Sequence, residues 1–214
     1  MSITVDIGIL ELLSSKLCHD LISPIGAVNN GIEFLEDMGA DAGSEVTDLI
    51  AFSAGQASAK LKAFRMAYGA GGADDSIKPE EVHQAIQDIV GAEDKITQEW
   101  DPYGSLGFED RPKAFCKILI CALLLSMDCL PKGGILSVKE GQENGTTVVL
   151  ASGENAGVRE LTATALTLEM PRETLEPKYV HSYMTGLLAK AYGYILSIKD
   201  TDQGAEITMV LPTA

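Results

Sequence analysis

The sequence predicts an α+β chain: an N-terminal helical hairpin over residues 1–72, then a mixed domain of helices and antiparallel-rich sheet over residues 73–214. Three observations predict it. Apolar residues step by three or four from Leu10 to Leu35, the period of one helix face. Gly69-Ala70-Gly71-Gly72-Ala73 then breaks the pattern as a linker. Beyond it, helical stretches alternate with short apolar runs and with turn pairs such as Asn144-Gly145.

The first helix carries Leu10, Leu13, Leu17, Leu21, Ile25, Val28, Ile32 and Leu35 on one face. Gly39, Asp41 and Gly43 end it, and a second helix runs from about Glu45 to Tyr68. Two long helices joined by a short turn pack as an antiparallel hairpin. Its apolar face needs a cover, and a second copy supplies one, so a four-helix bundle across a dimer axis is expected. Pro79, followed by Glu80 and Glu81, starts a helix to about Val90, because proline suits a first turn. Lys95 to Trp100 reads as a short strand. Asp110 and Pro112 introduce the apolar helix Lys113 to Met127, and Pro131-Lys132-Gly133-Gly134 forms a turn. Ile135 to Lys139 and Thr146 to Leu150 pair through Asn144-Gly145. Pro177 opens a helix to about Ala191, and Tyr194 to Lys199 with Glu206 to Leu211 make a closing hairpin.

The 214 residues include 31 acidic and 16 basic side chains, a formal charge of -15. Without a basic run the chain has no means of neutralising phosphates, which argues against nucleic acid and anionic membrane surfaces. The longest apolar stretch, Ile118 to Leu125, is far short of the ~20 residues that span a bilayer. No basic-then-apolar leader opens the sequence, so a cytoplasmic protein is expected. Cys18, Cys116, Cys121 and Cys129 form no C-x-x-C pair, and the histidines are His19, His83 and His181. That set reads as reduced, buried thiols rather than a metal site. His83 and His181 read as ordinary helix-face residues.

His19 stands apart. At about 100° per residue, Leu13, Leu17, Leu21, Val28, Ile32 and Leu35 fall within roughly 60° of Leu10, while His19 falls at about 180°. Ser23, Gly26 and Asn30 share that outer face. A lone histidine there is ordinarily just solvated. The surroundings lower that expectation. Gly26 costs a helix interior roughly 1 kcal/mol and clears space beside the ring. Pro24 lacks an N–H and crowds the carbonyl of Asp20, so the helix should bend there. A neutral imidazole is a nucleophile near neutral pH. Asp20 can accept one ring N–H, leave the other nitrogen free to attack a phosphoryl group, and stabilise the charge that develops.

His19-Asp20-Leu21-Ile22-Ser23-Pro24 resembles the H-box of two-component histidine kinases, on the first of two long helices as in that family. The longer string LCHDLISPIGAVNNGIEFLED is more similar to the ChpT-type histidine phosphotransferases of alphaproteobacterial cell-cycle phosphorelays. The second domain resembles the Bergerat-type ATP-binding α/β sandwich of the kinases, in a degenerate form. No Asn stands on the helix Lys113 to Met127, where the family holds Mg²⁺. Ala151-Ser152-Gly153-Glu154-Asn155 lacks the Asp that reads adenine, and the phosphate-side motif is reduced to Thr185-Gly186-Leu187-Leu188. The helix, turn and strand pattern continues through Ala189 to Leu196. The resemblance implies a retained fold without nucleotide chemistry.

What the resemblance implies is a phosphorelay intermediate. His19 takes a phosphoryl group from the Asp of a hybrid kinase's receiver domain and passes it to the Asp of a response regulator. Asp20 orients and activates His19. No cofactor is expected on this chain, Mg²⁺ arriving with the receiver, and the chain is expected to be a homodimer. The receiver should dock over Ser23, Gly26, Ala27, Asn30 and Glu33, with Gln56 of the second helix flanking the groove beside Phe52 and Ala59. Acidic Glu33, Glu36 and Asp37 can steer a basic receiver edge. Three other readings stay open on the residues alone: an orthodox autokinase, which would need the missing motifs, a non-catalytic receiver-binding scaffold, and a receiver phosphatase using Asp20 and Ser23.

Overall fold

The computed structural model describes residues 6–39, 43–70, 77–91 and 95–212. Two long helices come first, α1 (Ile7–Met38) and α2 (Ser44–Tyr68). Asp6 caps α1, its carboxylate accepting from the Gly8 amide at 2.8 Å. The helix is continuous through Pro24. The helices run antiparallel and meet closely where Gly31 faces Ile50: a Cβ at Gly31 would lie 2.5 Å from Ile50 Cγ1. Asp41 of the expected turn, and the 72/73 boundary with the linker glycines Gly71 and Gly72, lie outside the described residues.

The second part contains α3 (Pro79–Val90), β1 (Ile96–Gln98), α4 (Phe115–Met127), β2 (Gly134–Glu140), β3 (Thr146–Ser152), α5 (Thr162–Leu166), α6 (Val180–Tyr192), β4 (Ile195–Thr201) and β5 (Gly204–Val210). The strands form one sheet in the order β1-β2-β3-β5-β4, with β1 parallel to β2 and the other pairs antiparallel. The expected hairpins are both present, Glu140 pairing with Thr147 and Thr201 with Gly204. Inward residues alternate along the strands, as in Leu136 and Val138 or Leu196 and Ile198, so one sheet face is covered by helices.

Some boundaries move. The apolar helix starts at Phe115 rather than Lys113, because Ala114 takes a left-handed conformation (φ 63°) that cannot belong to a right-handed helix. The segment after Pro177 begins as a 3-10 turn, Pro177–Tyr179, before α6. The short helix α5 has no amphipathic repeat long enough to read from sequence.

The core differs from the expected plan in one respect. Ala59, Ala63 and Ala67 of α2 are buried in the same cluster as Val82 and Ile86 of α3 and the apolar α4. The second helix of the hairpin is therefore a structural element of both parts. A smaller cluster joins Ile9 and Leu13 of α1 to Tyr179, Val180 and Tyr183 at the start of α6. The apolar arc of α1 is accordingly divided. Leu13, Pro24 and Gly31 are buried within the chain, whereas Ile7, Leu10, Ile25 and Ile32, to one side of them, remain exposed. Among the described residues no helix is long and apolar enough to cross a membrane.

Candidate functional site

His19 sits midway along α1 with its side chain 86% exposed. It points away from Leu10 and Leu17 because helical geometry sends residue 19 to the other side of the cylinder from them. Its Nδ1 lies 3.4 Å from Oδ1 of Asp20. With Nδ1–H donating to that carboxylate, Nε2 keeps its lone pair and faces solvent. Asp20 is more sheltered, and its other oxygen, Oδ2, accepts from Lys16 Nζ at 2.5 Å. Its backbone carbonyl accepts from Lys60 Nζ of α2 at 3.4 Å.

The predicted docking residues mostly share the surface around His19. Ser23, Asn30 and Glu33 are exposed, and Gly26 and Ala27 are half-buried. A Cβ on Gly26 would meet nothing within 4 Å, so this glycine leaves open space above the helix. Gln56 is the exception and corrects the expected rim: it is only 8% exposed. The reason is the shared role of α2, whose face through Gln56, Ala59 and Ala63 turns toward the second part of the chain. The Gln56 amide nitrogen is buried with no hydrogen-bond partner among the described residues. Phe52, one turn nearer the hairpin end, is exposed, while Ala59 is buried.

Behind Asp20, a cavity of about 240 Å³ opens between the hairpin and the second part. Lys16, Asp20, Lys60, Tyr68, Asp128 and His181 contribute its polar lining. His181 is buried, not the plain helix-face residue its sequence context suggested. Its Nε2–H donates to the Cys121 carbonyl of α4 at 3.1 Å, and its Nδ1 accepts from the Tyr68 hydroxyl. Burial holds His181 below the ordinary imidazole range, outweighing the opposing pull of Asp128 and of the Cys121 carbonyl. His83 stands edge-on to Trp100, ring centroids 4.9 Å apart, and burial lowers it also.

Cys116, Cys121 and Cys129 are buried and reduced, with burial pushing the first two thiols up to about 12 and the third to about 11. Such groups are inert as nucleophiles at neutral pH. Cys18, expected among the buried thiols, is exposed, because it follows Leu17 out of the buried arc. Among the described residues no group of three or more His, Cys, Asp or Glu is arranged to hold a metal ion.

Three features of the site were not read from sequence. The Lys16–Asp20 contact carried a legible signal, the i,i+4 spacing that places both on one helix face. Lys60 and His181 carried none, since each reaches the site from a distant element.

Residues 79–204 match the family of the histidine phosphotransferase C-terminal domain. The chain is 34% identical over 210 residues to the protein phosphotransferase ChpT of Brucella abortus (strain 2308), covering 94% of this chain and 96% of that protein. It also superposes on a solved 1.7 Å structure of a bacterial phosphotransferase with a TM-score of 0.78 and 30% identity, covering 97% of this chain and 98% of the other.

Proposed function

This chain belongs to the ChpT-type histidine phosphotransferases, and from that premise we propose that it relays a phosphoryl group between receiver domains through His19 without using ATP. The Nε2 lone pair of His19 attacks the phosphorus of an aspartyl phosphate on the donor receiver. The P–O bond to the donor breaks and its electron pair returns to the donor carboxylate. The imidazole then carries the phosphoryl group on Nε2 and a proton on Nδ1, and the Asp20 carboxylate stabilises the positive ring. Attack by the carboxylate of an acceptor response regulator reverses these bond changes. Mg²⁺ belongs to the receivers in this scheme. The partners are the receiver of a hybrid histidine kinase and response regulators, in the cell-cycle setting that the family resemblance implies.

The observation that carries this reading is an 86% exposed imidazole whose Nδ1 alone is engaged by a carboxylate. An exposed nucleophile suits a macromolecular donor, which must bring its own reacting group to the ring. The ATP-independent part is supported by packing. Every residue of α4 from Phe115 to Leu123 is buried, and α6 lies against it through His181 and the Cys121 carbonyl. The homodimer is supported by the apolar strip that Ile7, Leu10, Ile25 and Ile32 leave exposed on α1, with Leu61 exposed on α2. A second copy covering that strip completes the four-helix bundle.

The experiment is incubation with a purified receiver carrying radiolabelled phosphate. Acid-labile label on the wild type and none on His19→Gln is the expected result. Release of free phosphate without a labelled intermediate would identify a receiver phosphatase, and binding without either would identify a scaffold.

A further inference from the structure

Pro24 has no N–H, so within α1 the carbonyl four residues earlier, that of Asp20, loses its helical donor. The ammonium of Lys60, reaching from α2, lies 3.4 Å from that oxygen. Two further contacts use the side chain of the same residue. Oδ2 accepts from Lys16 at 2.5 Å, and Oδ1 faces Nδ1 of His19 at 3.4 Å. Three acceptor oxygens of Asp20 are thus each assigned, two to ammonium groups and one to the imidazole.

An i,i+4 ion pair on a helix is commonly no more than a surface contact. This one has the lysine before the carboxylate, the weaker order against the helix dipole. It is also sheltered, at 31% and 23% side-chain exposure, against the interdomain cavity that Lys60 also lines. Its geometric effect is specific. A carboxylate free to turn about its Cβ–Cγ bond offers either oxygen, or neither, to the ring. With Oδ2 held by Lys16, Oδ1 is directed at Nδ1.

We propose that Lys16 is a positioning residue for phosphoryl transfer, orienting Asp20 so that the proton stays on Nδ1 of His19 and Nε2 is the nitrogen that accepts phosphorus, while Lys60, seated on the carbonyl that Pro24 leaves open, holds the Asp20 backbone in register. The inference rests on His19 being the phosphoacceptor. In the transfer step Nε2–P forms, the P–O bond to the receiver breaks, and no proton leaves the ring. Lys16 and Lys60 touch neither phosphorus nor the reacting nitrogen, and act only through Asp20.

The test has a kinetic arm and a spectroscopic arm, both on the full chain. Single-turnover transfer from a phosphorylated receiver is measured against receiver concentration for wild type, Lys16→Met, Lys16→Arg and Lys60→Met. Lys16→Met should lower the maximal rate about tenfold or more, the scale on which misplacing a reacting group acts, with the half-saturating receiver concentration unchanged. Lys16→Arg should restore most of the rate. In ¹⁵N NMR of histidine-labelled protein, His19 should be the Nδ1–H tautomer in wild type and a mixture of both tautomers in Lys16→Met. Lys60→Met should slow transfer in the wild-type background but not in Pro24→Ala, where the helix recovers its own donor for the carbonyl. Wild-type rate and tautomer in Lys16→Met would overturn the proposal, as would a loss confined to half-saturation, which would make Lys16 a docking contact. If the wild type is not labelled at His19, the relay reading fails, and the tautomer measurement still decides whether Lys16 orients the pair.

Discussion

Tyr68 donates its hydroxyl proton to Nδ1 of His181, joining the last residue of the hairpin to α6 of the second part. The residues on either side are pinned as well. The buried Lys117 donates to the Gly69 carbonyl at 2.8 Å, and Cys121 Sγ lies 3.9 Å from the Ala67 carbonyl. Three successive residues at the end of α2 are therefore held by α4 and α6. These contacts tie the second part of the chain to the end of the hairpin, beside the cavity behind Asp20.

Tyr68→Phe removes the hydroxyl and leaves a buried imidazole nitrogen without its donor. It should cost about 1–3 kcal/mol, the penalty for an unsatisfied buried acceptor. Urea unfolding of the full chain measures this, and an unchanged midpoint would show that the contact contributes nothing.

His181 makes stability depend on pH. Burial holds it neutral below the ordinary value of 6.5, and Tyr68, Asp128, Lys16, Asp20 and the Cys121 carbonyl face it. The unfolded chain binds the proton first as pH falls. The stability this residue contributes is therefore complete above 6.5 and is lost as pH drops from there through the lower folded value. The unfolding midpoint should fall as pH drops below 6.5, and His181→Gln should flatten that part of the profile. An identical slope in the variant would refute the assignment.

Two glycines on α1 should respond in opposite directions. Gly26→Ala adds a Cβ to open space and gains helix propensity, so it should stabilise by about 0.5–1 kcal/mol. Gly31→Ala adds one 2.5 Å from Ile50 Cγ1 and should lower the melting temperature, unless Ile50 moves. Gly26→Leu should leave the fold intact and slow transfer by blocking the receiver. Thermal melts and transfer rates on the three variants separate these effects.

Ile25 is 48% exposed on the uncovered apolar strip, whereas Pro24 beside it is buried within the chain. Ile25→Glu should convert a dimer into a folded monomer in sedimentation, with the far-ultraviolet circular dichroism preserved. A wild-type monomer at micromolar concentration would remove the premise.

The hairpin, its long apolar period and the outward placement of His19 were legible in the chain because each depends on local geometry. A period near 3.6 sorts residues to faces whatever they pack against, and Pro24, Gly26 and Asp20 act on neighbours within one or two turns. The two hairpins were legible for the same reason, through turn residues such as Gly145 at φ 78°, whereas the β1–β2 and β3–β5 pairings were not. What packs against each face is not local. The alanines of α2 look the same whether they meet a second copy or α3 and α4, and tertiary structure assigned them to the latter, burying Gln56 with them.

The sequence alone thus determined that His19 faces outward beside Asp20, and which elements carry the pair. Only the tertiary structure decided what surrounds that pair. Lys60 reaches Asp20 from 40 residues away, and Tyr68 reaches His181 across 113. Such contacts arise from the way α1, α2 and α6 cross, and no spacing along the chain encodes a crossing.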